Sequence, residues 1–350
     1  MAGNAQIPII DISATQGDQG DIAKHLVAAA AEHGFIYIKN TGRDISAEKI
    51  QKAFELSKLL FESPLEEKQR CSIQQNNQGW SGMHSETLDP ASQRVGDFKE
   101  AFNFGPFKDG RATQPVPASM EAHHAELASF RDACHELCRK LLFLFGVGLE
   151  VSPADFFTAA HNPDEPSGSI LRFLRYPPPS ETPDAQAGDV RAGAHSDYGS
   201  VTLLFRIPGQ AGLEILTPSN TWAPVPVTPP GTENDPSPPI LVNIGDLLSY
   251  WTNGLLRSTV HRVSFSPGQA AHGESSVDPR YSLVFFCHPA HDTPLVSVPS
   301  ERVRNFSGVS SQAKEGNPYA ERKVLTAEEH LQMRLQASYG DLYKDKSKGA

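Results

Sequence analysis

The sequence predicts an α+β protein in which helices come first and a β-barrel or double-sheet jelly roll comes second. Three observations carry this. Apolar residues recur at helical spacing in the first part of the chain, and a long helical stripe follows over roughly residues 119–145. From about residue 168 the apolar period changes to two. Seven short strand-like runs then alternate with Gly and Pro turns, the pattern of a barrel or jelly roll.

In chain order, IPIIDI (residues 7–12) reads as a first strand. Residues 21–33 read as an amphipathic helix with Ile22, Leu26 and Ala29 or Ala30 on one face. Gly34 ends that helix, and FIYIKN (Phe35–Asn40) is a second strand. Ser46 is placed as the N-cap of a second helix with the stripe Ile50, Phe54, Ser57 and Phe61, and Pro64 follows its end. Residues 71–118, rich in Asn, Gln, Gly and Pro, read as irregular. The long helix carries Leu127, Phe130, Cys134, Leu137, Leu141 and Leu144 in steps of three and four, a stripe for a sheet to pack on.

The strand-like runs are ILRFLRYP (170–177), AHSDYG (194–199), SVTLLF (200–205), GLEIL (212–216), PILVNIGDLLSYW (239–251), STVHRVSF (258–265) and RYSLVFFCHP (280–289). Seven prolines within residues 223–239 mark a surface insertion between strands. Thr326 and Glu329 form the T-x-x-E capping box of a last helix. The expected organisation is a strand–helix–strand–helix region over 1–118 that packs on the barrel, a core helix plus barrel over 119–300, and a C-terminal helix and tail over 301–350.

Composition narrows the function classes. The 350 residues are 39% hydrophobic and 21% charged, which is globular. A net charge of −10 repels phosphate backbones, so no nucleic-acid partner is expected. No run approaches the roughly 20 apolar residues of a membrane span, and the start MAGNAQIPIID lacks the basic and apolar regions of a signal peptide. The four cysteines, Cys71, Cys134, Cys138 and Cys287, are too sparse for a disulfide framework and read as buried thiols. The expectation is a soluble cytoplasmic protein whose partner is a small molecule.

The chemistry concentrates in three strand-like runs. In GAHSDYG, His195 and Asp197 are two apart, so on a strand both point to one side. In STVHRV, His261 is the inward candidate of another strand. Two histidines and a carboxylate make the facial triad of non-haem Fe(II) oxygenases; the alternative is a turn-capping His195 and a barrel histidine at 261. In DPRYSLVFF, Arg280 and Ser282 share a face with Val284 and Phe286, and Tyr281, Leu283, Phe285 and Cys287 share the other. A guanidinium beside a hydroxyl suits a carboxylate. Its partner is either a protein carboxylate such as Asp246 or an anionic cosubstrate. Lys99–Glu100 in DFKE reads as ordering a loop near the site, and His288 and His291 read as turn residues.

H-x-D, then H, then R-x-S resembles the Fe(II)/2-oxoglutarate dioxygenases of the isopenicillin N synthase-like superfamily. The likeness runs through HGFIYIKN, DFKEAFNFG (Asp97–Gly105), LRYPPP, HSDYGSVTLLF, NIGDLLSYWTNG, STVHRV and RYSLVFF. It implies a double-stranded β-helix (jelly-roll) core, Fe(II) on His195, Asp197 and His261, and O2 as oxidant. It also implies that Arg280 and Ser282, with Tyr176 beside them, hold 2-oxoglutarate. Within the superfamily the sequence is most similar to thymine-7-hydroxylase-like enzymes. That likeness implies a flat substrate ring between Tyr198 and Phe286, hydrogen-bonded by Arg172 and Asn77. The loop GWSGMHSETLDP departs from their pattern. The implied activity is oxidation, foremost hydroxylation, of a small heterocycle such as a pyrimidine or a nicotinate-derived pyridine. Desaturation or ring closure in natural-product tailoring is the alternative on the same scaffold, and a non-catalytic ligand-binding barrel is a remote one.

Overall fold

The computed structural model describes residues 3–13, 19–186, 188–265, 278–306 and 324–339. The first elements are β1 (Ile9–Ile10), α1 (Gln19–Glu32), β2 (Phe35–Ile38), α2 (Ala47–Phe61) and α3 (Leu65–Arg70). Gly34 turns the chain between α1 and β2 at a φ of +68°, and a Cβ there would lie 2.3 Å from the Arg257 carbonyl, so only glycine fits. Ser46 caps α2, its Oγ accepting from Lys49 N at 3.2 Å.

The segment read as irregular holds four strands: β3 (Gly79–Ser81), β4 (Glu100–Phe104), β5 (Phe107–Lys108) and β6 (Arg111–Ala112). The expectation fails here because β4, EAFNF, is buried on both faces and shows no polar alternation. The long helix α4 (His124–Gly148) starts after a 3₁₀ turn at Ala118–His123, later than the expected start near residue 119. A short α5 (Phe156–Ala160) leads into β7 (Ile170–Tyr176), β8 (Val190–His195), β9 (Val201–Arg206), β10 (Leu213–Leu216), β11 (Trp222–Pro224) and β12 (Ile240–Ile244).

The run read as one strand over 239–251 is β12 followed by a helix, α6 (Asp246–Trp251). Gly245 makes the switch: a Cβ there would lie 2.2 Å from the Gly199 carbonyl, and its N–H bonds Ser200 O at 3.0 Å. After β13 (His261–Ser264), β14 (Arg280–Cys287) and α7 (Glu301–Arg304) comes α8 (Ala327–Tyr339), opened by the expected capping box. Thr326 Oγ1 accepts from Glu329 N at 3.2 Å, and Glu329 Oε2 accepts from Thr326 N at 2.9 Å.

Two sheets face each other. The larger has the order β1-β2-β12-β9-β14-β7-β4-β3, and the smaller β11-β10-β13-β8. This is the jelly-roll core of the predicted α+β fold, with N-terminal strands extending the larger sheet at both edges. β14 shows how it is organised. Tyr281, Leu283, Phe285 and Cys287 pack outward into one core with Leu137, Cys138 and Leu141 of α4. Val284 packs inward with Leu174, Ala192, Leu213 and Val263. Burying each large apolar side chain contributes about 1.5–3 kcal/mol. The proline-rich insertion is fastened at the sheet edge, where Arg206 donates to Val225 O and Pro226 O, each at 2.9 Å. All four cysteines are free and buried. No helix among the described residues is long and apolar enough to cross a membrane.

Candidate active site

All ten residues singled out from the sequence line one cavity between the sheets: Asn77, Arg172, Tyr176, His195, Asp197, Tyr198, His261, Arg280, Ser282 and Phe286. His195 ends β8 and faces His261, which begins β13, in register. Asp197 is not on the strand: it lies in the turn beyond it, fastened to α6 by Asp246 N donating to Asp197 O at 2.7 Å. Its Oδ1 is 3.9 Å from His195 Nε2 and 3.8 Å from His261 Nε2.

These three residues are a candidate metal site, and their surroundings fit one. Donors each about 2.1 Å from one ion lie up to about 4.2 Å apart, so the spacing accommodates a single ion. His195 Nδ1 meets Gly193 O at 2.7 Å, and His261 Nδ1 meets Thr259 O at 3.2 Å. Both rings thereby turn a lone pair on Nε2 to the shared point. Burial and the neighbouring His261 lower the His195 pKa to about 4, so its imidazole is neutral and ready to ligate. Burial alone raises the Asp197 carboxyl, but His261, His195 and the Asn243 amide outweigh it and hold it below its ordinary value. Asn243 Nδ2 donates to Asp197 Oδ2 at 2.7 Å.

One end of the cavity is cationic. Arg280, 4% exposed, stacks on Tyr176 with 4.7 Å between guanidinium and ring centre. It reaches Ser282 Oγ at 3.0 Å and Ala211 O at 3.0 Å. Among the described residues no carboxylate pairs with it. Asp246, its suggested protein partner, instead pairs with Arg334 at 2.7 Å and accepts from Ser258 and Ser196.

Arg172 stands at the other end. β14 and β7 pair Arg280 with Tyr176 and Val284 with Arg172, so about 13 Å of strand separates the two arginines. Phe286 and Asn77 share this end. Arg172 is already engaged by Glu86, which also approaches Lys99 at 3.1 Å. Lys99 is bonded to Asp97 as well, and Asn103 Nδ2 donates to Asn77 Oδ1 at 3.0 Å.

The sequence reading missed several lining residues. Lys99, read as ordering a loop near the site, does pair with Asp97 and Glu86, but it is also buried in the cavity wall. His288 is no turn residue: it is 5% exposed and continues the inward parity of Arg280, Ser282, Val284 and Phe286, a signal that was available. Leu331 and Leu335 of α8, four apart, close the cavity. Arg334 of that helix lies 5.0 Å from the Tyr198 ring centre. No residue of 224–239 lines the cavity.

A jelly roll holding two imidazoles and a carboxylate beside a buried cationic clamp defines a non-haem metal oxidoreductase. The 2OG-Fe(II) oxygenase superfamily profile matches residues 168–289, and the profile described as non-haem dioxygenase in morphine synthesis N-terminal matches residues 7–125. A UPF0676 protein of Schizosaccharomyces pombe is 36% identical, covering 84% of this chain and 85% of its own. The proline hydroxylase buaE of Petromyces alliaceus is 32% identical, covering 92% and 95%. The crystal structure of Neurospora crassa thymine-7-hydroxylase with 2-oxoglutarate and thymine matches at a TM-score of 0.75 and 27% identity, over 95% and 96% of the chains. The chain belongs to the 2OG-Fe(II) oxygenase superfamily. It is an oxidoreductase whose cofactors are Fe(II), 2-oxoglutarate and O2.

Proposed function

We propose that this dioxygenase hydroxylates a small heterocyclic compound such as a pyrimidine or a nicotinate-derived pyridine. His195, Asp197 and His261 hold Fe(II) through Nε2, a carboxylate oxygen and Nε2. Arg280 and Ser282 bind the distal carboxylate of 2-oxoglutarate, with Tyr176 against the guanidinium. The substrate ring lies at the Phe286 and Tyr198 end, where Arg172 and Asn77 donate hydrogen bonds. The iron and cosubstrate, when bound, supply the activation of O2 and the oxidation of a C–H bond. The protein orients the ring toward the metal point and excludes water through Leu331, Leu335 and Val284.

The carrying observation is that one cavity is lined by a three-donor candidate metal site in its wall, a buried arginine with no carboxylate partner among the described residues at one end, and aromatic and amide groups at the other. The Neurospora structure with thymine supports a ring of this size. The test is substrate-stimulated succinate release with thymine, uracil derivatives and hydroxylated nicotinates. Stimulation by one of these classes, with a product gaining one oxygen atom, is expected. Stimulation only by aliphatic compounds overturns the reading. A second reading on the same scaffold is a natural-product tailoring oxidase that desaturates its substrate or closes a ring. A product that has lost two hydrogens, with no oxygen gained, decides for it.

A further inference from the structure

The two ends of the cavity differ in charge, and from this we infer that the prime substrate is an uncharged molecule, with Glu86 setting that preference. This rests on the reading that the substrate occupies the Arg172 end.

At the Arg280 end a buried guanidinium has no carboxylate among the described residues, so an anion is required to balance it. At the Arg172 end each charge meets its opposite. Arg172 is bonded to Glu86, Glu86 Oε2 is 3.1 Å from Lys99 Nζ, and Lys99 is bonded to Asp97. Ser81 Oγ donates to Glu86 at 3.0 Å. Gln93 Nε2 and Gly193 N donate to Asp97 at 2.8 and 3.0 Å. Two cations and two anions cancel, and none of the four residues is more than 9% exposed.

Arg334, over the Tyr198 ring, is likewise paired, with Asp246 at 2.7 Å, and the polar groups Asn77 and His288 are neutral. The Asn77 carbonyl is occupied by Asn103, which turns the amide into a donor for a ligand. His288 is uncharged at neutral pH: burial, with His330 and His161 nearby, lowers it to about 3. Its Nδ1 is buried and has no hydrogen-bond partner among the described residues. That atom is an open position in the wall, able to donate or accept according to tautomer.

A carboxylate brought here loses its hydration, meets cations already neutralised, and faces the Glu86 and Asp97 charges. An uncharged molecule with carbonyl and N–H groups meets directional partners at no such cost. Of the two ring classes proposed, this selects a ring free of carboxylate.

The test is calorimetric binding to the Fe(II)- and 2-oxoglutarate-loaded protein with O2 excluded. Three matched pairs serve as probes: thymine and orotate, nicotinamide and nicotinate, cyclohexanecarboxamide and cyclohexanecarboxylate. The neutral member of each pair is expected to bind about tenfold or more tighter. Glu86→Gln removes one negative charge with little change of shape, and should move the ratio about tenfold toward the acid. Lys99→Met removes a cation and should move it the other way, which keeps the test available if Glu86→Gln misfolds. Preference for the acids in the wild type, or ratios unmoved by both substitutions, overturns the inference. The cyclohexane pair separates the readings: a neutral preference there, with no heterocycle turned over, sinks the ring proposal and leaves this inference standing.

Discussion

Nη1 of Arg280 lies 3.0 Å from the Ser282 hydroxyl, two residues along the same strand, and the guanidinium stacks on Tyr176. Nothing anionic among the described residues balances this buried charge, and burial correspondingly lowers the arginine's pKa. On the proposed reading a dicarboxylate cosubstrate would supply the missing charge and accept from both side chains.

Arg280→Leu should therefore weaken 2-oxoglutarate. Leaving one member of a buried charge pair unmatched costs about 2–5 kcal/mol, or roughly 30- to several-thousand-fold in affinity. Titration of 2-oxoglutarate into the Fe(II)-loaded variant measures it. Unchanged affinity means that Arg280 serves another ligand.

A second expectation concerns the groups behind the metal cluster. Asp197→Ala and either His→Ala change should abolish turnover and iron retention while thermal melting still shows a folded protein. Asn243→Leu is the sharper probe. It removes the 2.7 Å hydrogen bond that orients Asp197 but leaves all three donors. Loss of such a supporting bond costs about 10–100-fold in metal affinity or activity. Wild-type iron affinity in Asn243→Leu would show that the carboxylate is oriented by other groups.

Much of this site was legible because β-strand parity is strict. Arg280, Ser282 and Phe286 share a face by counting alone, as do Arg172 and Tyr176, and the structure brings both sets into the cavity. What was not legible depends on contacts distant in sequence. Glu86 sits in the loop GWSGMHSETLDP, which has no periodicity to say that it meets Arg172, 86 residues away. α6 was read as strand because Leu247 and Leu248 continue the apolar run of β12 past Gly245, and a short apolar run does not separate buried strand from buried helix. α8 was not connected to the site because its capping box marks where a helix starts, not the surface it covers.

A pH dependence follows from His161, which is buried with Nδ1 against Phe157 O at 2.6 Å and Nε2 against Ser200 Oγ at 2.9 Å. Burial lowers its pKa to about 4. Above about pH 6.5 the ring is neutral in both folded and unfolded chains and has no pH effect. Below that, the unfolded chain takes a proton that the folded one refuses until about pH 4, so stability falls with pH across this window. Between pH 7 and pH 5 this single group costs on the order of 2 kcal/mol. Urea unfolding of the metal-free protein at both pH values should show the loss, and His161→Gln should reduce it by that amount. An equal acid loss in the variant would assign the effect to other groups.

Arg172 gives the test of substrate recognition. It shares a strand face with Leu174 and Tyr176, and its guanidinium is held by Glu86 in the cavity wall. Lysine at this position keeps the charge that Glu86 needs, so the buried pair remains neutral and the fold should persist. It loses the planar fork that aligns parallel hydrogen bonds on a ring carbonyl. Arg172→Lys should therefore raise the Michaelis constant for the prime substrate about tenfold or more, the size of one well-aligned hydrogen bond to a charged group. Iron and 2-oxoglutarate affinity should not change, because those groups lie elsewhere in the cavity. Slow succinate release without substrate should also persist, since it needs only the metal cluster and the Arg280 clamp. Loss of 2-oxoglutarate binding in Arg172→Lys would move this residue to the cosubstrate. Loss of folding would make the Glu86 pair a structural strut, and the flat-ring reading would lose the donor on which it chiefly depends.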